Sequence, residues 1–354
     1  MTDLNLDRDL EKNRKRIELF LSRFFKSRAA GLAAVNAWGA DFTGRIRPFV
    51  SAGKMIRGGL ILIAHDRLRG KAGSDVVKAA AAMELFHSAF LIHDDIMDDD
   101  PLRRGKPSIH VQYRALAGKK GLSDAPGFGR AAALCAGDVL IFMGLEILAS
   151  LKSPAAVKSR VLALFGRELA HVGPAQVQDV YSGKTRRAVS RDDIFRLYTY
   201  KTARYTYSLP LSTGALLAGA GPGALRDLED IGCDLGLVFQ IKDDELGQFG
   251  DAETTGKPVG SDIGEGKKTL YYLYLNRVCG PKAAALYGKR RRPAAGEIAR
   301  LNALLRAEKI PERIKRDVRR ISRRCERKIQ ASALPAGLKA ALADLLALSL
   351  ERTI

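Results

Sequence analysis

The chain has 354 residues and a formal net charge of +20 at pH 7, and 46% of its residues are hydrophobic and 28% charged. This composition is ordinary for a soluble globular protein, and no apolar run reaches the length of a membrane span. Residues 1–26 are charged and lack the apolar core of a signal peptide, so we expect a cytoplasmic protein without a transmembrane segment. The positive charge leaves nucleic acid, an anionic membrane surface and anionic small substrates open as partners.

Helical periodicity dominates the chain. The predicted helices, which glycine- and proline-rich breakers separate, cover residues 9–25, 58–68, 76–98, 131–151, 155–172, 191–217, 224–244, 269–278, 296–306, 311–330 and 335–349. The sequence has no alternating strand pattern and no strand–helix–strand rhythm. We therefore predict an all-α protein with a single domain over residues 1–354, a large helical bundle around a deep central cavity.

The predicted helix 311–330 is amphipathic and strongly basic on one face. Its apolar residues recur at spacings of three and four, which indicates a buried stripe opposite the charges. A solvated face explains these charges better than nucleic acid, because no zinc finger or RNA-binding signature accompanies them. We therefore expect no nucleic-acid partner.

The longest irregular stretch, residues 250–269, contains Lys257, Lys267 and Lys268 among several glycines. Long loops inside a compact domain usually have a function. The pattern favours a mobile loop that contacts phosphate over a plain linker.

The first of two aspartate-rich segments ends the predicted helix 76–98. Asp94 and Asp98 are four residues apart and so share a helix face, roughly 6 Å apart along the axis. Two ionised carboxylates at this spacing repel each other unless a cation lies between them. Mg²⁺ binds one or two protein carboxylates and fills its octahedron with water and phosphate. An acidic helix end in solvent remains the plain alternative.

The second aspartate-rich segment repeats this chemistry about 150 residues later. Asp243 and Asp244 follow the apolar run Phe239-Gln240-Ile241. Carboxylates directly behind apolar residues are costly unless a positive group accompanies them. The recurrence favours metal binding over a solvated helix end.

Several basic groups complete the pattern. Lys54 and Arg57 precede a predicted helix, whose positive end favours anions. Arg103 and Arg104 follow the first carboxylates closely, and arginine is suited to bidentate contact with phosphate. Lys201 lies within the predicted helix 191–217. Each could be a surface charge, but together with the carboxylates they indicate one or two diphosphate substrates.

These motifs together resemble the trans-isoprenyl diphosphate synthases of the polyprenyl synthetase family. The resemblance extends by motif over roughly residues 53–269. Residues 94–98 with 103–105 resemble the first aspartate-rich motif of the family, and residues 239–244 resemble the second. Residues 256–262 with 266–269 resemble its lid loop.

The resemblance implies a role for each matching residue. The isopentenyl diphosphate site would contain Lys54, Arg57, His87 and Arg104. The allylic diphosphate site would contain Arg103, Lys201, Lys257 and Lys267. The ligands of three Mg²⁺ ions would come from Asp94, Asp95, Asp98, Asp243 and Asp244. The catalytic residues would be Lys201, Thr202, Gln240 and Arg103. Gln176 and Asp179 match the Gln-x-x-Asp pair of the family, and the family also implies a homodimer.

The implied reaction is the Mg²⁺-dependent, head-to-tail condensation of isopentenyl diphosphate with an allylic diphosphate: dimethylallyl, geranyl or farnesyl diphosphate. In the family, the two positions here occupied by Ala89 and Phe90 limit the product length. One small and one aromatic residue favour geranylgeranyl diphosphate, with farnesyl or longer-chain products as alternatives. Helical geometry alone does not decide which of the two residues meets the growing chain.

The sequence departs from the family pattern at two positions, and three other classes of protein remain as alternatives. Met55 replaces a basic residue found in many relatives, and Gly247 replaces a third aspartate. A class I terpene cyclase would not need Lys54 and Arg57. A noncatalytic subunit of a heteromeric synthase usually lacks the aspartates, and a basic nucleic-acid-binding protein would not account for them.

Overall fold

The computed structural model of the protein describes residues 4–69, 73–185, 187–250, 261–280, 287 and 294–351. Within these ranges the chain is almost entirely helical, which confirms the predicted all-α class. The described residues divide into two compact units. The first unit contains those of 3–163 and 210–220, and the second contains those of 164–209 and 221–354. The single domain over residues 1–354 stays a prediction.

The described elements are listed here in chain order. They are α1 Leu4–Val35, α2 Ala37–Ser51, α3 Ile56–Arg69, α4 Ser74–Met97, β1 Leu102–Arg103, β2 Lys106–Pro107, α5 Ile109–Lys119, α6 Ala125–Ala149, α7 Ala155–Lys184, α8 Arg191–Leu197, a π-helix Tyr198–Ser208, α9 Leu209–Leu217, α10 Pro222–Phe249, α11 Ser261–Glu265, α12 Leu270–Cys279, α13 Ala295–Ala307, α14 Ile310–Ala331 and α15 Ala336–Glu351. The strands β1 and β2 pair antiparallel as a short hairpin.

The core of the first unit is built around α4, which packs on α6, α3 and α1. Glycines in α6 allow the close approach of α4. A Cβ atom on Gly137 would lie 2.2 Å from Nε2 of His93, and one on Gly144 would lie 2.9 Å from the ring of Phe86. This packing sets the position of the α4 end that carries the first aspartate-rich segment.

In the second unit, α10 packs on the π-helix and on α14. The contact with the π-helix is a backbone contact at two glycines. A Cβ atom on Gly236 would lie 2.3 Å from Cα of Ala203, and one on Gly232 would lie 2.8 Å from Cα of Ser208. Only glycine allows this separation, so α10 and the π-helix present their polar side chains to each other at short range.

The π-helix is the main departure from the predicted helix 191–217. A capping box between Ser190 and Asp193 starts α8, and the hydrogen-bonding pattern changes at Tyr198. Sequence periodicity predicts a helix but does not distinguish a π-helix from an α-helix. Long π-helices are rare, and short ones are frequent at functional sites.

Three helices escaped sequence prediction: α2, α5 and the short α11, which lies inside the stretch predicted as a loop. A further helix, α6, begins earlier than predicted. α2 contains two glycines and Pro48, which lower helix propensity, and α5 was also not predicted. Pro126 and Gly127 were interpreted as helix breakers, whereas α6 begins at Ala125. Asp124 caps α6 by accepting the Gly127 N–H at 2.8 Å, and proline is tolerated in a first turn.

By length and composition alone, α4 and α6 could each cross a membrane. This finding corrects the expectation that no apolar run is long enough. The core helix of a soluble protein meets the same criterion. In α4, 67% of the apolar window is buried, and the two helices pack against each other.

Candidate active site

A cationic cluster lies in the first unit where the start of α3 meets α4. Nη1 of Arg57 lies 3.1 Å from Nε2 of His87. Because a guanidinium group only donates, Nε2 is the acceptor and the ring proton is on Nδ1. Burial lowers the pKa of His87 well below 6.5, and neighbouring arginines, Arg57 first, lower it further. His87 is therefore a neutral side chain whose one N–H is at Nδ1.

Arg104 joins this cluster from the turn between β1 and β2, where it has a left-handed φ of 55°. Its Nη1 donates to the carbonyl of Phe49 at 2.9 Å, and its guanidinium lies over the Phe49 ring. A Cβ atom on Gly53 would lie 3.0 Å from Nη2, so the glycine leaves room for the guanidinium. Burial lowers the pKa of Arg104, and the charge of Glu84 opposes this shift.

Glu84 is a buried member of the cluster that sequence reasoning missed. Its Oε1 accepts the backbone N–H of Gly58 at 2.7 Å, in the first turn of α3. Burial raises the pKa of Glu84, whereas the Gly58 bond and the charges of Arg57 and Arg104 oppose that rise. Glu84 thus occupies part of the positive helix end that the sequence suggested as an anion site. The positive charge of this cluster therefore comes mainly from the arginine side chains.

The residues between Gly53 and α3 have opposite environments. Lys54 is exposed, whereas Met55 is 3% exposed and has a φ of 50°. Met55 therefore anchors a left-handed bend in the core, and Arg57 follows on the first turn of α3. The departure at Met55 replaces a charge by an apolar anchor.

The end of α4 carries the first carboxylate pair. The N–H of Asp98 donates to the carbonyl of Asp94 at 2.9 Å, so the helical turn extends to Asp98 and the predicted shared face is confirmed. Both side chains are half-buried. Carboxylate oxygens one helical turn apart are hard ligands of the kind that Mg²⁺ binds, so these residues fit the expected ion. The presence of three ions stays a prediction.

Arg103 is bound to carboxylates of the same segment. Its Nε donates to Oδ1 of Asp95 at 2.7 Å, and its Nη2 bonds Asp95 as well. Nη2 also lies 3.3 Å from Asp100 and 3.9 Å from Asp94. Burial acts to lower the pKa of Arg103, but these carboxylates, Asp95 first, raise it overall. Among the described residues these bonds use Nε and Nη2, and the role of Arg103 toward a diphosphate stays a prediction.

Asp95 itself is fully buried, unlike Asp94 and Asp98. Its bonds to Arg103 show that it orients this guanidinium. The role of Asp95 as a metal ligand stays a prediction.

The two expected length-limiting residues differ in burial. Ala89 is fully buried, whereas Phe90 is half-buried on the same helix as Asp94 and four residues before it. One turn deeper, Phe86 lies against Gly144 of α6. Phe90 is therefore the more accessible of the two residues, and Phe86 lies one turn further along the same face.

In the second unit, a chain of hydrogen bonds joins the π-helix to α10. Thr202 Oγ1 donates to Oε1 of Gln240 at 2.6 Å, and Nε2 of Gln240 donates to Oδ1 of Asp244 at 2.8 Å. The hydroxyl of Tyr198 donates to Oδ2 of Asp244 and accepts the N–H of Leu270 at 3.2 Å. Burial and the charge of Asp244 raise the pKa of Tyr198 well above 10. Thr202 and Gln240, both predicted as catalytic, are thus brought together.

The second carboxylate pair splits into one exposed and one buried side chain. Asp243 is exposed, whereas Asp244 is 8% exposed and accepts a hydrogen bond on each oxygen. Asp243 therefore fits a metal-ligand role. The geometry favours Asp244 as a residue that positions Gln240 and Tyr198, and its role as a metal ligand stays a prediction.

Lys201 lies on the π-helix and forms an ion pair with Asp179 of α7. Asp179 and Gln176 are both buried on α7. The Gln-x-x-Asp pair therefore includes the carboxylate that holds Lys201, a pairing that sequence spacing alone did not suggest.

The end of the predicted lid loop is described, and Lys257 lies outside the described residues. Lys267 pairs with Glu265 at 2.7 Å. Lys268 is buried and donates to the carbonyl of Thr185 at 2.9 Å, and burial lowers its pKa. Lys268 therefore anchors the loop end, and phosphate contact by the loop stays a prediction.

The family model for polyprenyl synthetase matches residues 45–305 of the chain. The chain belongs to the polyprenyl synthetase family. It is 36% identical to the short chain isoprenyl diphosphate synthase of Methanothermobacter thermautotrophicus over 220 residues. This match covers 62% of each chain. It is 34% identical to the geranylgeranyl diphosphate synthase of Sulfolobus acidocaldarius over 233 residues. This match covers 65% of each chain. The matched region thus spans slightly less than two thirds of these curated relatives.

The fold agrees with this family. A crystal structure of geranylgeranyl pyrophosphate synthase from Corynebacterium glutamicum, complexed with isoprenyl diphosphate and magnesium, superposes with a TM-score of 0.89 at 29% identity. The match covers 99% of this chain and 100% of that one. The protein therefore has the all-α fold of the polyprenyl synthases.

Sequence reasoning missed Glu84 and Tyr198 for different reasons. Glu84 is a carboxylate in an otherwise apolar run of α4, and this isolated buried charge was a usable signal. Tyr198 belongs to an aromatic stretch whose pattern does not show which hydroxyl meets a carboxylate 46 residues away.

Proposed function

We propose that the protein is a Mg²⁺-dependent prenyltransferase that joins isopentenyl diphosphate head-to-tail to an allylic diphosphate. Its product would be a short-chain trans-prenyl diphosphate. The observation that carries this proposal lies in the first unit, where Arg57, His87 and Arg104 form a cationic cluster. The same helix that bears His87 ends in the carboxylates Asp94 and Asp98. One element therefore combines donors for a diphosphate with ligands for a divalent cation.

Each charged group would have a defined task. Arg57 and Arg104 would bind the isopentenyl diphosphate by charge-assisted hydrogen bonds, and His87 would add a neutral N–H donor. Arg103 and Lys201, which Asp95 and Asp179 orient, would donate to the allylic diphosphate. Because carboxylates already fix the Arg103 and Lys201 side chains, these side chains lose little further entropy when the diphosphate binds.

In the first unit Asp94 and Asp98, and in the second unit Asp243, would be ligands of Mg²⁺, which supplies positive charge to the departing diphosphate when bound. The allylic C–O bond breaks and leaves an allylic cation. The double bond of isopentenyl diphosphate then forms the new C–C bond, and the departing diphosphate accepts the proton that is lost.

Thr202 and Gln240 would face the allylic cation as neutral dipoles. The bonds from Thr202 to Gln240 and from Gln240 to Asp244 limit the rotation of both side chains. A neutral dipole held in one orientation stabilises a cation without forming a bond to it.

We propose geranylgeranyl diphosphate as the main product, with farnesyl diphosphate as the second candidate. Phe90 is half-buried and would limit the chain, while Ala89 is small and packed in the core. The geranylgeranyl diphosphate synthase among the similar proteins supports the same product.

We also propose a cytoplasmic homodimer. The supporting feature is an apolar face of α6 in which Leu134, Phe142 and Leu145 are 45%, 68% and 43% exposed. Their spacing places them along one side of the helix, and a contiguous exposed apolar surface commonly marks a protein interface.

A product assay tests the catalytic proposal. Purified protein is incubated with labelled isopentenyl diphosphate and each allylic primer, with Mg²⁺ or with a chelator, and the dephosphorylated products are sized. We expect Mg²⁺-dependent products that end mainly at twenty carbons. Absence of products with every primer would refute the proposal, and cyclisation of a prenyl diphosphate without isopentenyl diphosphate would indicate a terpene cyclase.

A further inference from the structure

A row of exposed arginines on α14 has no part in the proposed reaction. Arg316, Arg319, Arg323 and Arg327 are all exposed, and together with Arg320 and Glu326 they line one surface groove. At 3.6 residues per turn, their spacings of three, four and four residues place them in one straight stripe about 16 Å long. These four residues are called the arginine stripe below.

The opposite face of α14 is fully used by the fold. Its buried apolar residues are Ile314, Val318, Ile321, Cys325 and Ile329. They lie about 180° around the helix from the arginine stripe. The apolar face of α14 is therefore not available to a membrane or to another protein. Any partner of this helix must be recognised by its charged residues.

Other basic residues of α14 are engaged within the second unit. Arg324 donates to both oxygens of the buried Asp234, and Lys328 lies 2.9 Å from the same carboxylate. Arg320 pairs with Asp317 at 3.0 Å. In the part of the chain that the structure describes, no carboxylate lies within ion-pair distance of a residue of the arginine stripe.

We propose that the arginine stripe docks the protein on the surface of an anionic phospholipid bilayer. Four guanidinium groups in a straight row can all reach one plane, and each can bind a phosphate oxygen pair in bidentate fashion. A cluster of four to eight basic residues on an amphipathic helix is typical of binding to anionic lipids. The choice of a lipid surface rests partly on the proposed function, because the long hydrocarbon tail of the product favours a membrane over water.

Nucleic acid is the competing partner, and α14 lacks features that it uses. The helix contains no phenylalanine, tyrosine, tryptophan or histidine on which a base could stack. Nucleic-acid binding is therefore kept as an outcome of the test.

The experiment measures binding of the full chain to phosphatidylcholine vesicles, with and without phosphatidylserine, by sedimentation. The stripe variant carries Arg316→Gln, Arg319→Gln, Arg323→Gln and Arg327→Gln. The control variant removes four exposed charges from α1 by Arg8→Gln, Lys12→Gln, Arg23→Gln and Lys26→Gln. Both variants lower the net charge equally, and glutamine preserves helix propensity.

We expect the wild type to bind only vesicles that contain phosphatidylserine, and to bind less as salt rises. Each basic residue near such a surface changes partitioning about fivefold, so removal of all four charges should weaken binding of the stripe variant by roughly 600-fold. The control variant should bind the vesicles at least about tenfold more tightly than the stripe variant, because α1 contributes only to the net charge. Circular dichroism and prenyl transfer without vesicles should be unchanged in the stripe variant.

Absence of vesicle binding by the wild type would overturn the proposal, and so would equal losses in both variants. Binding of RNA or duplex DNA that depends on the stripe, without vesicle binding, would assign the stripe to nucleic acid instead. Prenyl transfer is measured separately. An active enzyme that ignores vesicles contradicts only the docking proposal, whereas an inactive protein that binds them contradicts only the proposed function.

Discussion

The neighbouring carboxylates Asp243 and Asp244 should respond in opposite ways to the same substitution. Asp243 is exposed and proposed to bind Mg²⁺, whereas Asp244 is buried and bonded to Gln240 and Tyr198. Asp243→Asn should therefore lower turnover with little effect on stability. Asp244→Asn should destabilise the fold and leave the Mg²⁺ requirement unchanged.

The loss of stability expected for Asp244→Asn follows from the hydrogen-bond partners of Asp244. An asparagine can still accept the bond from Gln240, but its amide would oppose Tyr198, whose oxygen already accepts the N–H of Leu270. A hydrogen bond to a charged group contributes about 1.5–3 kcal/mol, so the free energy of unfolding should fall by about 2 kcal/mol. With an unfolding entropy of about 2.1 cal/mol/K per residue, this lowers Tm by about 3 °C.

The two variants should also differ in catalysis. Loss of a direct metal ligand in Asp243→Asn should lower kcat by about 1000-fold, since several kcal/mol of charge stabilisation is at stake. A residue that only orients others typically affects activity by about 10–100-fold, which is the expectation for Asp244→Asn. Glu245→Gln is the matched control, because Glu245 pairs with Lys242 and has no proposed metal role.

The assay measures kcat over a series of Mg²⁺ concentrations, together with Tm by calorimetry. The reasoning is refuted if Asp244→Asn keeps the wild-type Tm but raises the Mg²⁺ concentration for half-maximal activity as much as Asp243→Asn does. In that case Asp244 would be a metal ligand, as its sequence motif first suggested.

Four further predictions follow from the first unit. Arg57→Ala should raise KM for isopentenyl diphosphate at least about tenfold more than KM for the allylic primer, and equal increases in steady-state kinetics would argue against a separate site. Phe90→Ala should lengthen the products by about one unit, because Phe86 lies one turn, about 5.4 Å, deeper; product sizing that shows no change would place the barrier elsewhere. Phe142→Glu should shift the homodimer toward monomer in light scattering, whereas an unchanged mass would exclude this face of α6 as the dimer interface. His87 has a lowered pKa in the folded state, so its contribution to stability is present above about pH 6.5 and is lost as pH falls below that value. In urea unfolding, the free energy of unfolding of His87→Gln should therefore decline less below pH 6.5 than that of the wild type. An identical decline in both proteins would contradict the lowered pKa of His87.

Much of the site was predictable because helical periodicity is a local property. The shared face of Asp94 and Asp98 and the amphipathic pattern of α14 depend only on residues within a few turns, and the structure confirms both. The polyprenyl synthetase motifs were equally local, since each combines residue types at fixed spacing. The all-α class follows from the same periodicity repeated along the chain.

The tertiary structure decided which of these residues meet. Tyr198 and Asp244 are 46 residues apart, and Gly58 and Glu84 are 26 apart, so no local pattern pairs them. Burial of Asp244 but not of Asp243 depends on how closely the glycines of α10 approach the π-helix. The sequence by itself determined the helices and the chemical types at the site. Packing determined which carboxylate points outward and which is held by neighbours, because burial is a property of contacts between distant segments.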